Sequence, residues 1–105
     1  MRKVTQQIKD AWEAGEERTI GNTYTDGKSV YLHSNEIIRR NDDGTVQFTN
    51  AGWPTRLTHE RLGGILPICV FRREWLTHVC AMGDWDNAKA MSDGDWYNLE
   101  DYATC

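Results

Sequence analysis

Residues 19–49, TIGNTYTDGKSVYLHSNEIIRRNDDGTVQFT, alternate polar and apolar side chains between turn-forming clusters, and that alternation decides the fold class. Asp26-Gly27 is a strong two-residue hairpin signal between TIGNTYT and KSVYLHS, because Gly accepts the positive φ that tight hairpin turns require. In the second arm Val30 and Leu32 share one face, and Tyr31 and His33 the other. Ser34-Asn35 turns the chain into EIIRR. Asn41-Asp42-Asp43-Gly44 turns it again into TVQFT, where Val46 and Phe48 alternate with polar neighbours. These segments predict three or four short antiparallel strands.

Upstream, Val4, Ile8, Ala11 and Trp12 recur at helical spacing, which predicts an amphipathic helix stopped near Gly15. Downstream, Asn50-Ala51-Gly52-Trp53-Pro54 breaks the last strand, since Pro lacks the N–H a ladder needs and holds Trp53 extended. Thr58 is the predicted N-cap of a short helix, with Glu60 in its first turn and Leu57 and Leu62 spaced as a hydrophobic staple. Leu62, Ile65 and Leu66 would bury that helix, Gly63-Gly64 would keep it short, and Pro67 would close it. ICVF and WLTHVC, joined through RRE, read as another hairpin. Beyond Met82 the period is lost. There Gly-Asp-Trp occurs at 83–85 and 94–96, and Trp96, Leu99 and Tyr102 would share a helical face capped by Ser92, Asp93 or Asp95. The chain thus reads as α+β: an N-terminal helix, five to six short antiparallel strands, one central helix and an irregular or short-helical C-terminal segment. One domain over 1–105 is expected, with a body at 1–81 and an acidic, aromatic-rich tail at 82–105.

The net charge of −4 is unevenly placed: residues 1–81 carry eleven Lys and Arg against ten acids, and residues 82–105 carry Lys89 against six acids. A body this close to neutral is a poor match for unspecific binding to nucleic-acid phosphates, which needs clustered cations. No apolar run approaches membrane-spanning length and the N-terminus lacks a signal-peptide core, so a cytosolic location is expected. Three Cys, at 69, 80 and 105, without C-x-x-C, suit reduced thiols.

Asn22-Thr23, Gly27, Leu32-His33, Asn35, Ile37, Gly44, Thr49, Ala51-Gly52-Trp53, Thr55, Thr58 and Arg61-Leu62 form an ordered motif that resembles a family of small bacteriophage proteins. The resemblance runs from about residue 20 to Cys80; Gly63 stands where that family suggests Asn, and the segment after Met82 has no counterpart. It implies phage origin and brings no catalytic residue, substrate or cofactor.

Among candidate sites, Cys69, His78 and Cys80, with His33, His59 or Cys105 as a fourth ligand, lack the closely spaced pairs of structural zinc sites, so packed thiols are expected and no metal. Asp84/Asp86 and Asp93/Asp95 fall short of a calcium loop, which fails at Ala88. With no nucleophile elbow, phosphate-binding loop or dinucleotide fingerprint, catalysis is not expected. Two binding surfaces remain. Arg39-Arg40, Arg56, Arg61 and Arg72-Arg73, interleaved with Trp53, Trp75 and His59, would suit nucleic acid or an acidic protein, against the plainer reading of scattered solubilising charge. Asp84, Trp85, Asp86, Asp93, Asp95 and Trp96 would engage a basic groove on a partner, against the plainer reading that both Trp are core. The function expected is a non-catalytic phage accessory protein that binds and inhibits a host protein or ribonucleoprotein, such as a CRISPR or restriction complex. The alternative is a small nucleic-acid-binding module using the Arg and Trp surface.

Overall fold

The computed structural model describes residues 3–53 and 55–102 and has the α+β architecture read above. Helix α1, Lys3–Glu13, buries Ile8, Ala11 and Trp12 of the predicted stripe together with Thr5, while Val4 is half-buried at its edge. The Trp12 indole N–H donates to the Lys28 carbonyl (2.8 Å), tying the helix to the sheet beside it.

Strands β1 (Arg18–Ile20), β2 (Thr23–Thr25), β3 (Ser29–Leu32), β4 (Asn35–Arg40) and β5 (Val46–Phe48) follow in order as an antiparallel meander. TIGNTYT is not one strand: Gly21 at φ 59° folds it into a hairpin pairing Ile20 with Thr23. The Asp26-Gly27 turn is present but wider than two residues, since Thr25 pairs with Val30. Asp26 Oδ1 accepts from the Lys28 and Ser29 amides (2.9 and 2.7 Å), and a Cβ on Gly27 would sit 2.5 Å from the Gly15 carbonyl oxygen. Gly27 is therefore required by the approach of the α1 terminus as well as by the turn. The next turn is one residue earlier than expected, at His33 and Ser34 (φ 51° and 68°), pairing Leu32 with Asn35. A register shift between Val30 and Tyr31 lets Ile37 and Ile38 both reach the core, which strict alternation forbids.

Helix α2, Arg56–Ile65, starts before the predicted point. Thr55, not Thr58, is the N-cap: its hydroxyl accepts the Thr58 amide (3.2 Å), while Thr58 is buried inside the first turn. Leu57 then lies within the helix, so the staple does not form, although Leu62, Ile65 and Leu66 are buried as expected. Gly63 and Gly64 are helical; a Cβ on Gly63 would lie 3.4 Å from the Ile68 carbonyl oxygen, so the small residue lets helix and strand pack closely.

Strands β6 (Ile68–Arg73), β7 (Leu76–Ala81) and β8 (Lys89–Met91) form a second antiparallel sheet. Strand β9, Tyr97–Asn98, crosses to the first sheet and pairs with β5, giving the order β1-β2-β3-β4-β5-β9. The acidic segment is thus woven into both sheets, and its only helical turns among the described residues are 3-10, at Trp85–Asn87 and Leu99–Asp101. Trp96, Leu99 and Tyr102 do not form one α-helical face; Tyr97 and Tyr102 instead pack against Phe48, with ring centroids 6.0 and 5.7 Å away. Ile8, Val30, Phe48, Leu62, Ile68, Val79 and Met91 belong to one apolar cluster spanning both helices and both sheets. Each such side chain contributes about 1.5–3 kcal/mol when fully buried.

Candidate binding surface

The β6–β7 register pairs Cys69 with Cys80, Phe71 with His78 and Arg73 with Leu76. These residues share one face of the sheet, because side chains alternate along a strand. The opposite face carries the buried Ile68, Val79 and Thr77, with Met91 of β8 opposite Thr77. On the outer face Phe71 stacks on His78 (5.7 Å, 15°) and meets Trp85 (5.1 Å), while the Arg73 guanidinium lies 5.2 Å from the Phe71 ring. Among the described residues, five large hydrophobics are strongly exposed. Trp75 (88%), Leu76, Met82 and Trp85 lie on this sheet or its turns; only Trp53 is elsewhere.

The hairpin closes through Glu74 and Trp75 at φ 50° and 71°, between the paired Arg73 and Leu76. A two-residue turn of this kind favours Asn-Gly; a bulky residue there costs about 1–2 kcal/mol. Trp75 thus holds an unfavourable backbone at a tip where its ring is almost wholly in water. Strain of this kind persists where surrounding structure imposes it, and it clusters at functional sites.

The Arg residues expected to converge divide into two sets. Arg61 is 3% exposed, donating to Thr23 Oγ1 (3.1 Å) and Thr5 Oγ1 (2.7 Å) and paired with Glu60. It joins α1, α2 and β2 and does not belong to the surface proposed for it, because its guanidinium is enclosed by these partners. Arg39 lies 3.9 Å over Trp96 and donates to Gln47 (3.0 Å); Arg40 covers Trp12 at 4.4 Å and donates to the Gly27 and Trp12 carbonyls. Arg56, Arg72 and Arg73 remain exposed, and the first two line a shallow hollow of about 560 Å³ with His59, Glu60, Val70 and Phe71. His59 Nε2 is buried with no hydrogen-bond partner among the described residues. Burial holds its pKa below the usual imidazole value, Arg72 lowers it further, and Asp93 opposes both.

The acidic residues also divide. Asp84 accepts both bonds from Asn87 Nδ2 (2.9 and 3.1 Å) and closes a turn, and Asp93 accepts from Asn50 Nδ2 (2.8 Å); Asp86 and Asp95 are exposed. Trp96 is half-buried beneath Arg39, whereas Trp85 is 51% exposed. Asn50 was missed in the sequence. It is fully buried, and its Oδ1 accepts from the Gly52 and Gly94 amides (2.9 Å each), pinning the acidic segment to the β5–α2 connection. Phe71, His78, Leu76 and Met82 were not singled out for this surface either, because their exposure depends on which face of a sheet is covered.

Cys69 and Cys80 are cross-strand neighbours, and Cys69 Sγ approaches Met82 Sδ (3.4 Å). Burial, then the adjacent Cys69, pushes the Cys80 thiol up, so it stays protonated near neutrality. No group of three or more His, Cys, Asp or Glu is placed to hold a metal among the described residues, and Cys105 lies outside them. No helix among those residues is long and apolar enough to cross a membrane.

Two short helices on a pair of small antiparallel sheets define an α+β protein. The chain belongs to the Kyanoviridae Gp96 protein family, whose model matches residues 1–102 and so takes in α1 and the acidic segment beyond the resemblance at 20–80. No curated protein and no solved structure matches the chain.

Proposed function

We propose that this phage protein is a non-catalytic binder that acts in the host cytoplasm by occupying a functional surface of a host protein. The carrying observation is the set of exposed apolar side chains on the outer side of the second sheet, Trp75 and Leu76 at its hairpin tip and Met82 and Trp85 toward its other end, with Trp75 held in a left-handed turn. Exposed apolar patches of this kind mark interaction sites, and Trp with flanking Arg is the usual composition of an interface hot spot. The partner that fits presents an apolar groove bordered by carboxylates facing Arg73, which shares the outer face with Phe71 and Leu76. Host defence complexes, CRISPR and restriction machinery among them, are the first targets to test, with inhibition following from steric occupation. Affinity capture from host lysate, with wild type beside Trp75→Ser/Leu76→Ser, tests the reading. A stoichiometric protein retained by wild type and lost with the variant supports it; equal recovery, or none, refutes it.

A second reading rests on the hollow between Arg56 and Arg72, whose paired cations would admit a nucleic-acid phosphate. Filter binding at low salt decides it: salt-dependent retention of single-stranded DNA or RNA favours this reading, and flat binding to both rules it out.

A further inference from the structure

A cavity of about 420 Å³ lies away from that face, between the β3–β4 hairpin, the β5–α2 connection and the first turn of α2. We propose that it binds a small, uncharged aromatic or heteroaromatic ring compound. Leu32, Ile37 and Ala51 give it apolar walls, and the Trp53 indole stands beside it, 59% exposed. The volume falls within the range of small-molecule pockets. Trp53 is held from both sides of its backbone, its amide donating to the Asn50 carbonyl (2.9 Å) and its carbonyl accepting from the Thr55 amide (2.8 Å). The backbone that carries the indole is therefore fixed before a ligand arrives.

Backbone strain gathers at the same place. Of five non-glycine residues with positive φ among the described residues, three are His33, Ser34 and Ala51, two of them lining the cavity and Ser34 adjoining it. The hairpin carrying His33 and the connection carrying Ala51 are separate in sequence, so this is a shared property of the site and not of one turn.

The chemistry of the lining selects the ligand. Asn50 is committed to Gly52, Gly94 and Asp93, and the Thr55 and Thr58 hydroxyls bond each other (3.0 Å). The Asn35 carboxamide makes one long bond, to the His33 carbonyl (3.3 Å), and the His33 ring one weak contact, with Asn22 (3.5 Å). An amide and an imidazole thus remain to meet a ligand's polar edge. No Lys, Arg, Asp or Glu lines the cavity among the described residues, so a carboxylate, phosphate or ammonium would lose its hydration without gaining a counter-ion. A neutral ring stacked on Trp53, with one or two hydrogen-bonding groups toward Asn35 and His33, meets every condition.

The test is a ¹H–¹⁵N titration of the full chain with indole, nicotinamide and benzamide, and with benzoate as the charged control. Saturable shifts confined to amides of 32–37 and 50–58 are expected with the neutral rings, at least about tenfold weaker with Trp53→Ala, the loss expected when a stacking partner is removed. Asn35→Leu should weaken benzamide and nicotinamide more than indole. Absence of saturable shifts, shifts centred on Phe71 and Trp85, benzoate binding as well as benzamide, or indifference to Trp53→Ala would each overturn the proposal. Trp53 lies outside the second sheet's outer face, so capture of a host protein through Trp75 succeeds or fails independently.

Discussion

The two sheets use similar side chains to opposite ends. In the six-stranded sheet, Arg39 and Arg40 lie over Trp96 and Trp12, and Phe48 sits beneath two Tyr rings, so cations and aromatics are consumed within the fold. In the three-stranded sheet, Arg73 lies over Phe71 and Trp85 against it, yet Arg73 and Trp85 themselves stay exposed, and Trp75 projects from the tip. Pairing an Arg with a ring therefore does not distinguish structure from recognition; the covering layer does. Both sheets also close a hairpin on left-handed residues without glycine, His33-Ser34 in one and Glu74-Trp75 in the other. The first turn borders a cavity, and the second is bare.

The sharpest way to break this contrast is to truncate an aromatic in each sheet. Phe48→Ala should lose about 3–5 kcal/mol in urea unfolding, as for a fully buried ring, whereas Trp75→Ser, at 88% exposure, should fall within about 0.5 kcal/mol. A comparable loss at both would show that the outer face carries the fold. Next in size, Asn50→Ala leaves two amides and Asp93 without their partner and should cost about 1–3 kcal/mol. Its hydrogen-exchange protection should drop first at Gly94 and in β9. Relief of turn strain has the opposite sign: Glu74→Asn/Trp75→Gly should raise stability by about 1–2 kcal/mol while abolishing partner capture. The smallest effect is on pH dependence. The folded pKa of His59 lies below 6.5, chiefly from burial, so above pH 6.5 the group is neutral in both states and adds no slope. As pH falls below that value the unfolded chain takes up the proton first, and stability declines until the folded pKa is passed. His59→Gln should flatten that part of a stability–pH profile, and an unchanged slope would exclude His59 as its source.

Much of the fold was legible. The α1 stripe, the meander from Arg18 to Phe48, the buried Leu62-Ile65-Leu66 set and the β6–β7 hairpin all follow from side-chain period and turn chemistry, which act over a few residues. The errors were local competitions resolved by distant packing. Thr55 displaced Thr58 as cap because Thr58 is buried, and Ile37 with Ile38 needed a register shift that no pattern announces. The candidate surface was half legible: Trp75, Trp85 and Arg73 were named, but Arg72 falls on the other face of β6, and Arg61, read as a surface cation, is enclosed between α1, α2 and β2. The cavity gathers Leu32, His33, Asn35, Ile37, Ala51, Trp53, Thr55 and Thr58, residues already quoted for the family resemblance.

By itself the sequence determined the elements, because period, glycine placement and proline act through neighbouring residues. Tertiary structure alone decided which sheet face is covered, where Asn50 clasps Gly94, and how the acidic segment divides between β8 and β9. Those outcomes depend on contacts between residues distant in sequence, 14 positions for Thr77 with Met91 and 44 for Asn50 with Gly94, set by the competition to bury apolar area and leave no polar group unpaired.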